Sequence, residues 1–261
     1  MKLPLFWIDA FTDRPFHGNP AGVVPLESWL PDEAMQRIAF ENGLAETAFF
    51  VRTAPERFHL RWFTPAVEVD LCGHATLATA FTLFHHLDQP GRLITFDSRS
   101  GPLPVTRGDG ILELDFPTRP AAAAPPSDLL LRALGRTPDW VARTKNNWLC
   151  VYARAADVIA LRPDHALLAQ VTPGRMIVTA PGEDCDFVSR FFAPDAGIPE
   201  DPVTGGAHTT LIPYWADRLG KTTLHARQVS ARGGELFCTL RGDRVGIAGR
   251  AVLYLRGEIS L

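Results

Sequence analysis

The chain repeats itself. Arg61-Trp62-Phe63-Thr64-Pro65 returns as Arg190-Phe191-Phe192-Ala193-Pro194, an offset of 190 − 61 = 129. Seven residues beyond each proline stand Cys72 and Asp201, and 201 − 72 is again 129. Both copies then run into a segment that reads as a helix start: Gly73-His74-Ala75-Thr76, and Thr204-Gly205-Gly206-Ala207-His208-Thr209. Ser98-x-x-Gly101 parallels Ser230-x-x-Gly233 at an offset of 132, and Arg107-Gly108-Asp109 parallels Arg241-Gly242-Asp243 at 134. An ordered series with a slowly growing offset is what small loop insertions leave between duplicated halves. The repeat predicts two similar lobes of about 130 residues, an ordinary domain size. The division falls at 1–117 and 118–261, with the Pro/Ala-rich stretch 118–127 as linker. The closing strand has the option of returning to the first lobe.

Local patterns fill in the lobes. Leu5–Phe11 reads as a strand, followed by turns at Asp13-Arg14-Pro15 and Gly18-Asn19-Pro20. Pro31–Phe40 reads as a helix, with Met35, Ile38 and Ala39 on one face and Gly43 beyond its end. Ala48–Val51 and Phe58–Phe63 read as strands. His74–His86 is apolar almost all round, the pattern of a helix buried on most sides. Gly206–Leu219 is its counterpart, with Pro213 predicting a kink. Further strands are expected at 95–96, 103–106, 111–116, 229–231, 235–240 and 251–254. Both Arg-Gly-Asp tripeptides then lie between strands and read as turns. The expected fold is α+β, with each lobe a mixed sheet or barrel wrapped around a central helix. The two helix starts are expected to face a shared cleft, because ligand sites favour lobe interfaces.

Composition removes several function classes. At 46% hydrophobic and 21% charged residues the chain is an ordinary globular one. Its 26 basic and 29 acidic residues give a net charge of −3. No strong field calls for nucleic acid or an anionic membrane, and neither is expected as a partner. The only lysines are Lys2, Lys145 and Lys221, which leaves pyridoxal phosphate few Schiff-base candidates. Cys72, Cys150, Cys185 and Cys238 are far apart and lack the paired spacing of a structural zinc site. No phosphate loop or GxGxxG follows a strand. No cofactor and no metal are therefore expected. With no secretory pattern and no apolar run of membrane length, the expected setting is cytoplasmic.

Three groups of residues carry chemistry. Glu46 is the one charge in the apolar run 43–51. Burial disfavours the charged form of a carboxyl, which suits a general acid or base. Taken alone, Glu46 reads rather as a strand-edge glutamate paired with an arginine. Cys72-Gly73-His74 precedes a helix, whose N-terminus favours negative charge and offers free N–H groups to a carboxylate. Taken alone it reads as a buried thiol and a capping histidine. Glu200-Asp201-Pro202-Val203-Thr204-Gly205-Gly206-Ala207 has paired glycines that let a backbone approach a ligand closely. The repeat joins these groups, because it sets Cys72 and Asp201 at matching positions in two lobes. Two acid/base groups so related suit the movement of a proton from one face or position of a bound carboxylate to another.

The same residues resemble a known family. Asp9-Ala10-Phe11-Thr12, Gly18-Asn19-Pro20-Ala21-Gly22-Val23, Glu46-Thr47-Ala48-Phe49, Asp70-Leu71-Cys72-Gly73-His74-Ala75-Thr76 and Glu200-Asp201-Pro202-Val203-Thr204-Gly205 are similar to the PhzF-like (phenazine biosynthesis) proteins. That family is related to the cofactor-independent diaminopimelate epimerases and proline racemases, which use two cysteines, one per lobe. The resemblance implies their two-lobed fold. It carries the catalytic glutamate onto Glu46, the cleft histidine onto His74 and the cleft aspartate onto Asp201. Cys72 falls where the epimerases keep their first cysteine, and Asp201 in the place of their second. Gly206 stands where a serine is common, and Ala45 replaces the usual serine before the glutamate.

The expected function is a cofactor-independent isomerase that moves a proton on a small carboxylate-bearing metabolite. Glu46, His74 and Asp201 are its catalytic residues. Asn19, Cys72, Gly73, Ala75, Thr204, Gly205, Gly206 and Ala207 are its substrate-binding residues. A Cys72/Asp201 two-base epimerase or racemase is one alternative; a catalytically silent binding protein of the same fold is the other. The oligomeric state is open, with a homodimer as the candidate.

Overall fold

The computed structural model describes residues 1–261. The chain forms two compact units: residues 1–116 with 246–261, and residues 117–245.

In the first unit the elements run β1 (Lys2–Ala10), β2 (Asn19–Leu26), α1 (Asp32–Asn42), β3 (Glu46–Ala54), β4 (Arg57–Phe63), β5 (Glu68–Val69), α2 (Gly73–His86), β6 (Leu93–Ser98), β7 (Gly101–Arg107) and β8 (Leu112–Pro117). β1 pairs antiparallel with β2, β2 parallel with β3, and β3 antiparallel with β4. Residues opposite each other across such pairs share a face, and alternation along a strand sets the rest. Ile8 lies opposite Ala21, Ala21 opposite Glu46, and Ala48 opposite Trp62. Asn19, Ala21, Glu46, Ala48 and Trp62 therefore share one face, which packs on α2. The other face carries Val24, Leu26, Phe49 and Phe63 against Met35, Ile38 and Ala39 of α1. With helices on both faces, the strands are apolar nearly throughout and alternate little. α2 is buried from His74 to Phe84 apart from Phe81, as its all-round apolar sequence demands.

In the second unit come β9 (Ala122–Ala123), α3 (Asp128–Leu134), β10 (Trp140–Arg143), β11 (Trp148–Val151), α4 (Ala155–Ala160), α5 (His165–Leu168), β12 (Met176–Pro181) and β13 (Phe187–Ala193). A 3₁₀ turn (Pro194–Ala196) leads to β14 (Ile198–Asp201), α6 (Gly205–Leu219), β15 (Thr223–Gln228) and β16 (Gly234–Arg241); β17 (Arg244–Gly249) begins in this unit and runs into residues of the first. Its core gathers Leu130, Trp148, Tyr152, Val158, Leu168, Met176 and Phe192. α6 is tied down where Trp215 stacks on Phe187 and donates from Nε1 to Thr179 Oγ1 at 2.9 Å. The last strand, β18 (Ala251–Ser260), pairs antiparallel with β1 from Lys2↔Ser260 to Ala10↔Ala251, so residues 246–261 belong to the first unit.

Several details differ from the sequence reading. Asn19 and Pro20 open β2 rather than forming a turn, because only Gly18 takes the left-handed conformation. Residues 229–231 form a bend after β15, which ends at Gln228. The stretch 118–127 is held to the second unit: Arg119 N donates to Thr209 O, and Ala122–Ala123 pair with β10. Both Arg-Gly-Asp tripeptides end a strand and open the turn to the next.

The repeated arginine explains itself. Arg61 on β4 makes a two-pronged pair with Glu68 on β5, and Arg190 on β13 makes the same pair with Glu200 on β14. Each guanidinium also lies over the aromatic ring two residues on, Phe63 or Phe192. Planar two-pronged pairing is the strong form of a charged hydrogen bond. It fixes the short strand that feeds the central helix of each unit.

Candidate active site

Glu46 is the first residue of β3 and Asn19 the first of β2; both face α2, whose first turn carries His74. The imidazole sits among three side chains. Its Nδ1 is 3.2 Å from Asn19 Nδ2 and 3.5 Å from Cys72 Sγ. Its Nε2 is 3.1 Å from Glu46 Oε2. That last contact is an ion pair by distance, but it is bent away from hydrogen-bond alignment, so both buried atoms keep unused hydrogen-bonding capacity. An asparagine serves either state of the ring: its amide NH₂ donates to neutral Nδ1, and its oxygen accepts from an imidazolium.

The electrostatics separate the roles. Burial pushes the Cys72 thiol up to about 11, and the Glu46 carboxylate beside it pushes the same way. At neutral pH that leaves about one thiolate in 10⁴, since each pH unit is tenfold. His74 moves in the opposite direction from a typical buried imidazole. Burial disfavours its charge, but the Glu46 carboxylate beside it favours that charge, and the pKa is held well above the ordinary value.

The Cys72 sulfur, an imidazole nitrogen of His74 and a Glu46 oxygen lie within 4.8 Å of one another, a donor set of the kind zinc accepts. As the side chains stand, His74 turns Nδ1 to the sulfur and Nε2 to the carboxylate.

The second unit holds a second group. Asp201 ends β14, and Thr204 is the residue before α6. Thr204 Oγ1 donates to Asp201 Oδ2 at 2.5 Å. Threonine at this position ordinarily caps the helix by accepting from its first-turn N–H groups. Here the hydroxyl makes no such bond, and Cys72 makes none at the start of α2. Uncapped first-turn N–H groups can bind an anion. A Cβ built on Gly206 meets nothing within 4 Å, so the space beside this helix start is open.

The sequence residues therefore fall into two sets. Asn19, Glu46, Cys72, Gly73, His74 and Ala75 come together in the first unit. Asp201, Thr204, Gly205, Gly206 and Ala207 come together in the second. Asn19, read as substrate-binding, is fully buried and touches His74. The pairing of Cys72 with Asp201 is corrected. Trp62 lies opposite Val69 in β4–β5, and Phe191 lies opposite Asp201 in β13–β14. Trp62 and Phe191 are repeat partners, so Asp201 matches Val69. Counted from the helix start, Thr204 matches Cys72, and 204 − 72 = 132, the offset of Glu200 from Glu68. The 3₁₀ turn Pro194–Ala196 supplies the three additional residues that a constant offset of 129 overlooks.

One residue escaped the sequence reading. Gln228, buried at the end of β15, accepts from Thr204 N and donates to Asp201 O, both at 2.8 Å. A lone glutamine in a strand carries no motif; its position two residues before the repeated Ser230 was the available signal.

Comparison with known proteins agrees with this architecture. The family model described as phenazine biosynthesis-like protein matches residues 8–257. An uncharacterized isomerase of Pseudomonas aeruginosa is 53% identical over the whole of both chains. The crystal structure of a PhzF-family phenazine biosynthesis protein from Enterococcus faecalis superposes over 100% of both chains, with a TM-score of 0.97 and 45% identity. A hydroxyproline epimerase from Agrobacterium vitis shares the fold, with a TM-score of 0.65 at 8% identity over 100% of this chain and 93% of that one.

Proposed function

We propose that this isomerase, a chain that belongs to the phenazine biosynthesis-like family, moves a proton within a small carboxylate-bearing metabolite by general acid–base catalysis, without a cofactor. The observation that carries the reading is the Glu46–His74 contact: two buried, oppositely charged groups 3.1 Å apart whose facing atoms lack a hydrogen bond. A carboxylate held in that way has a lone pair for a substrate C–H and a neighbour ready to stabilise either state.

In the proposed step Glu46 takes the proton from a carbon next to an activating group. The C–H electron pair moves into the adjacent π system. Glu46 then returns the proton to another carbon or to the other face, so atoms and charge balance with no outside reactant. His74 holds the carboxylate in place and adjusts to its change of charge. Asp201 assists proton transfer, with Thr204 as its hydrogen-bond donor. Backbone N–H groups at the start of α2, Gly73–Ala75, hold the substrate carboxylate, aided by the helix dipole. A positioned acid/base group contributes roughly 10²–10⁴-fold, and orientation and fixed dipoles supply the remainder.

The test is solvent-deuterium incorporation across a library of small unsaturated, hydroxy- and amino-carboxylates. Glu46→Gln is expected to keep the fold and ligand binding while slowing incorporation by at least about 10²-fold. Unchanged incorporation in Glu46→Gln would reject Glu46 as the base. Binding without exchange in the wild type would make the protein a binder.

A further inference from the structure

Gln228 lies outside every role assigned so far. It is 1% exposed, a polar side chain buried at the end of β15. Its amide is used at both ends. Oε1 accepts from Thr204 N at 2.8 Å; Nε2 donates to Asp201 O at 2.8 Å and to Thr204 Oγ1 at 3.1 Å.

The last of these bonds fixes a direction. A hydroxyl has one proton and two lone pairs. An amide NH₂ can only donate, so the Thr204 oxygen must accept on the Gln228 side. Its single proton is thereby left for Asp201 Oδ2, 2.5 Å away. The rest of Thr204 is pinned as well: its N–H is held by Gln228, and its carbonyl accepts from His208 Nδ1 at 2.8 Å. Two neighbours of Asp201 are otherwise engaged. Glu200, next in sequence, is taken by Arg190, and Phe191 lies opposite Asp201 on β13. The neighbouring loop is tied off by Ser230, whose hydroxyl donates to Pro202 O.

We infer that Gln228 is a positioning residue that polarises the Thr204 hydroxyl toward Asp201, so that Asp201 stands as a carboxylate receiving that proton. The inference deepens the proposed function, resting on the assignment of Asp201 to acid–base work. Its content is a coupling along Gln228, Thr204 and Asp201 that exists whether or not a substrate is bound.

The coupling is read by carboxyl ¹³C NMR on the full chain labelled at aspartate, with Asp201→Asn used to assign the resonance. Hydrogen bonding to a carboxylate favours its charged form. Gln228→Met keeps the length but removes the donor, and is expected to raise the Asp201 titration midpoint by about one unit, part of the worth of one charged hydrogen bond. Gln228→Glu turns the donor into an acceptor that competes for the Thr204 proton, and is expected to raise it further. Thr204→Val removes the relay and should raise the midpoint by itself. In that background Gln228→Met should add nothing. A purely structural glutamine would not give this ordering or this loss of additivity. If Gln228→Met is too unstable to titrate, the Gln228→Glu and Thr204→Val pair answers the same question. An unmoved midpoint in Gln228→Glu, or additive shifts in the double variant, would overturn the inference. Intact coupling together with full deuterium exchange in Asp201→Asn would instead reject Asp201 as an acid/base residue and leave Gln228 as assigned.

Discussion

Thr204 stands at the start of α6 where Cys72 stands at the start of α2, and neither side chain caps its helix. Each turns instead to an ionisable neighbour in its own unit: the Cys72 sulfur to His74 Nδ1 at 3.5 Å, and the Thr204 hydroxyl to Asp201 at 2.5 Å. Neither helix start has a side-chain cap, and each is marked by a pair that can hold or pass a proton. The duplication has kept this arrangement while changing its chemistry, thiol and imidazole in one unit, hydroxyl and carboxylate in the other.

Cys72 is expected to be secondary to Glu46. Its thiol is pushed up to about 11 by burial and by the Glu46 charge, which suppresses the thiolate that a base or nucleophile requires. Cys72→Ala should slow deuterium exchange by less than about 10-fold, well short of the loss a positioned base causes. Alkylation with iodoacetamide should be slow at neutral pH. A collapse of exchange in Cys72→Ala, beside a mild effect of Glu46→Gln, would establish the two-base thiol mechanism.

His208 should give the protein an acid-labile component. Burial on α6 lowers its pKa from 6.5 to about 4, against a smaller opposing effect from the Thr204 carbonyl. Between those values the unfolded chain holds a proton on this ring and the folded chain does not. Unfolding therefore takes up a proton, and stability falls as pH drops from about 6.5 to about 4, by on the order of 3 kcal/mol at about 1.4 kcal/mol per unit. His74 does not mask this. Its folded pKa is raised, so its contribution is full below its unfolded pKa and is lost only as pH rises through the folded value. Urea unfolding of His208→Gln against wild type across this range is the measurement. Parallel curves would show that the ring titrates normally.

Arg190→Ala should be among the more destabilising substitutions. The guanidinium ties β13 to Glu200 on β14 and donates to the carbonyls of Val158 and Leu161, with its side chain 10% exposed. Removing one partner of a buried pair leaves an uncompensated charge and costs about 3 kcal/mol or more. Arg190→Lys should recover little, because one ammonium cannot make both prongs. Chemical denaturation decides the matter, and a loss below about 1 kcal/mol would show the pair to be a surface ornament.

The repeat made the architecture legible, because Arg61 and Arg190 are held by geometry that a duplicated strand pair must keep. The all-round apolar His74–His86 segment announced a central helix for the same reason: nothing solvent-facing is encoded there. The region between the linker and Arg190 was opaque, since α3–α5 and β10–β12 are short and have no counterpart in the repeat. The group in the first unit was readable because Glu46 is a charge where the strand pattern demands an apolar residue. The group in the second unit was misaligned because three inserted residues fall between Pro194 and Glu200, where no motif fixes the count. Gln228 and the contact of Asn19 with His74 depend on which strand ends meet a helix start, and local sequence does not carry that.

Gly18→Ala should damage the site through the backbone. Gly18 has φ +65°, and a Cβ built on it would lie 2.1 Å from the Ala10 carbonyl oxygen and 2.8 Å from Thr12 Cγ2. The next residue is Asn19, paired with Ala10 across β1–β2 and bonded to His74. Relief of the clash must push the start of β2 away from β1, and Asn19 with it. The left-handed conformation alone costs a non-glycine residue about 1–2 kcal/mol, and contact with backbone adds to that. Gly18→Asn separates the two contributions. Asparagine tolerates left-handed φ but brings the same Cβ, so it should be no better than alanine. Gly43 is the control: its φ is +61° and nothing lies within 4 Å of a built Cβ, so asparagine there should cost little. Thermal unfolding of the three variants, with the His74 ring ¹⁵N shifts as a local reporter, tests the argument. Recovery of stability and of the His74 signal in Gly18→Asn would show that backbone strain, not the contact with Ala10, makes glycine necessary at this position.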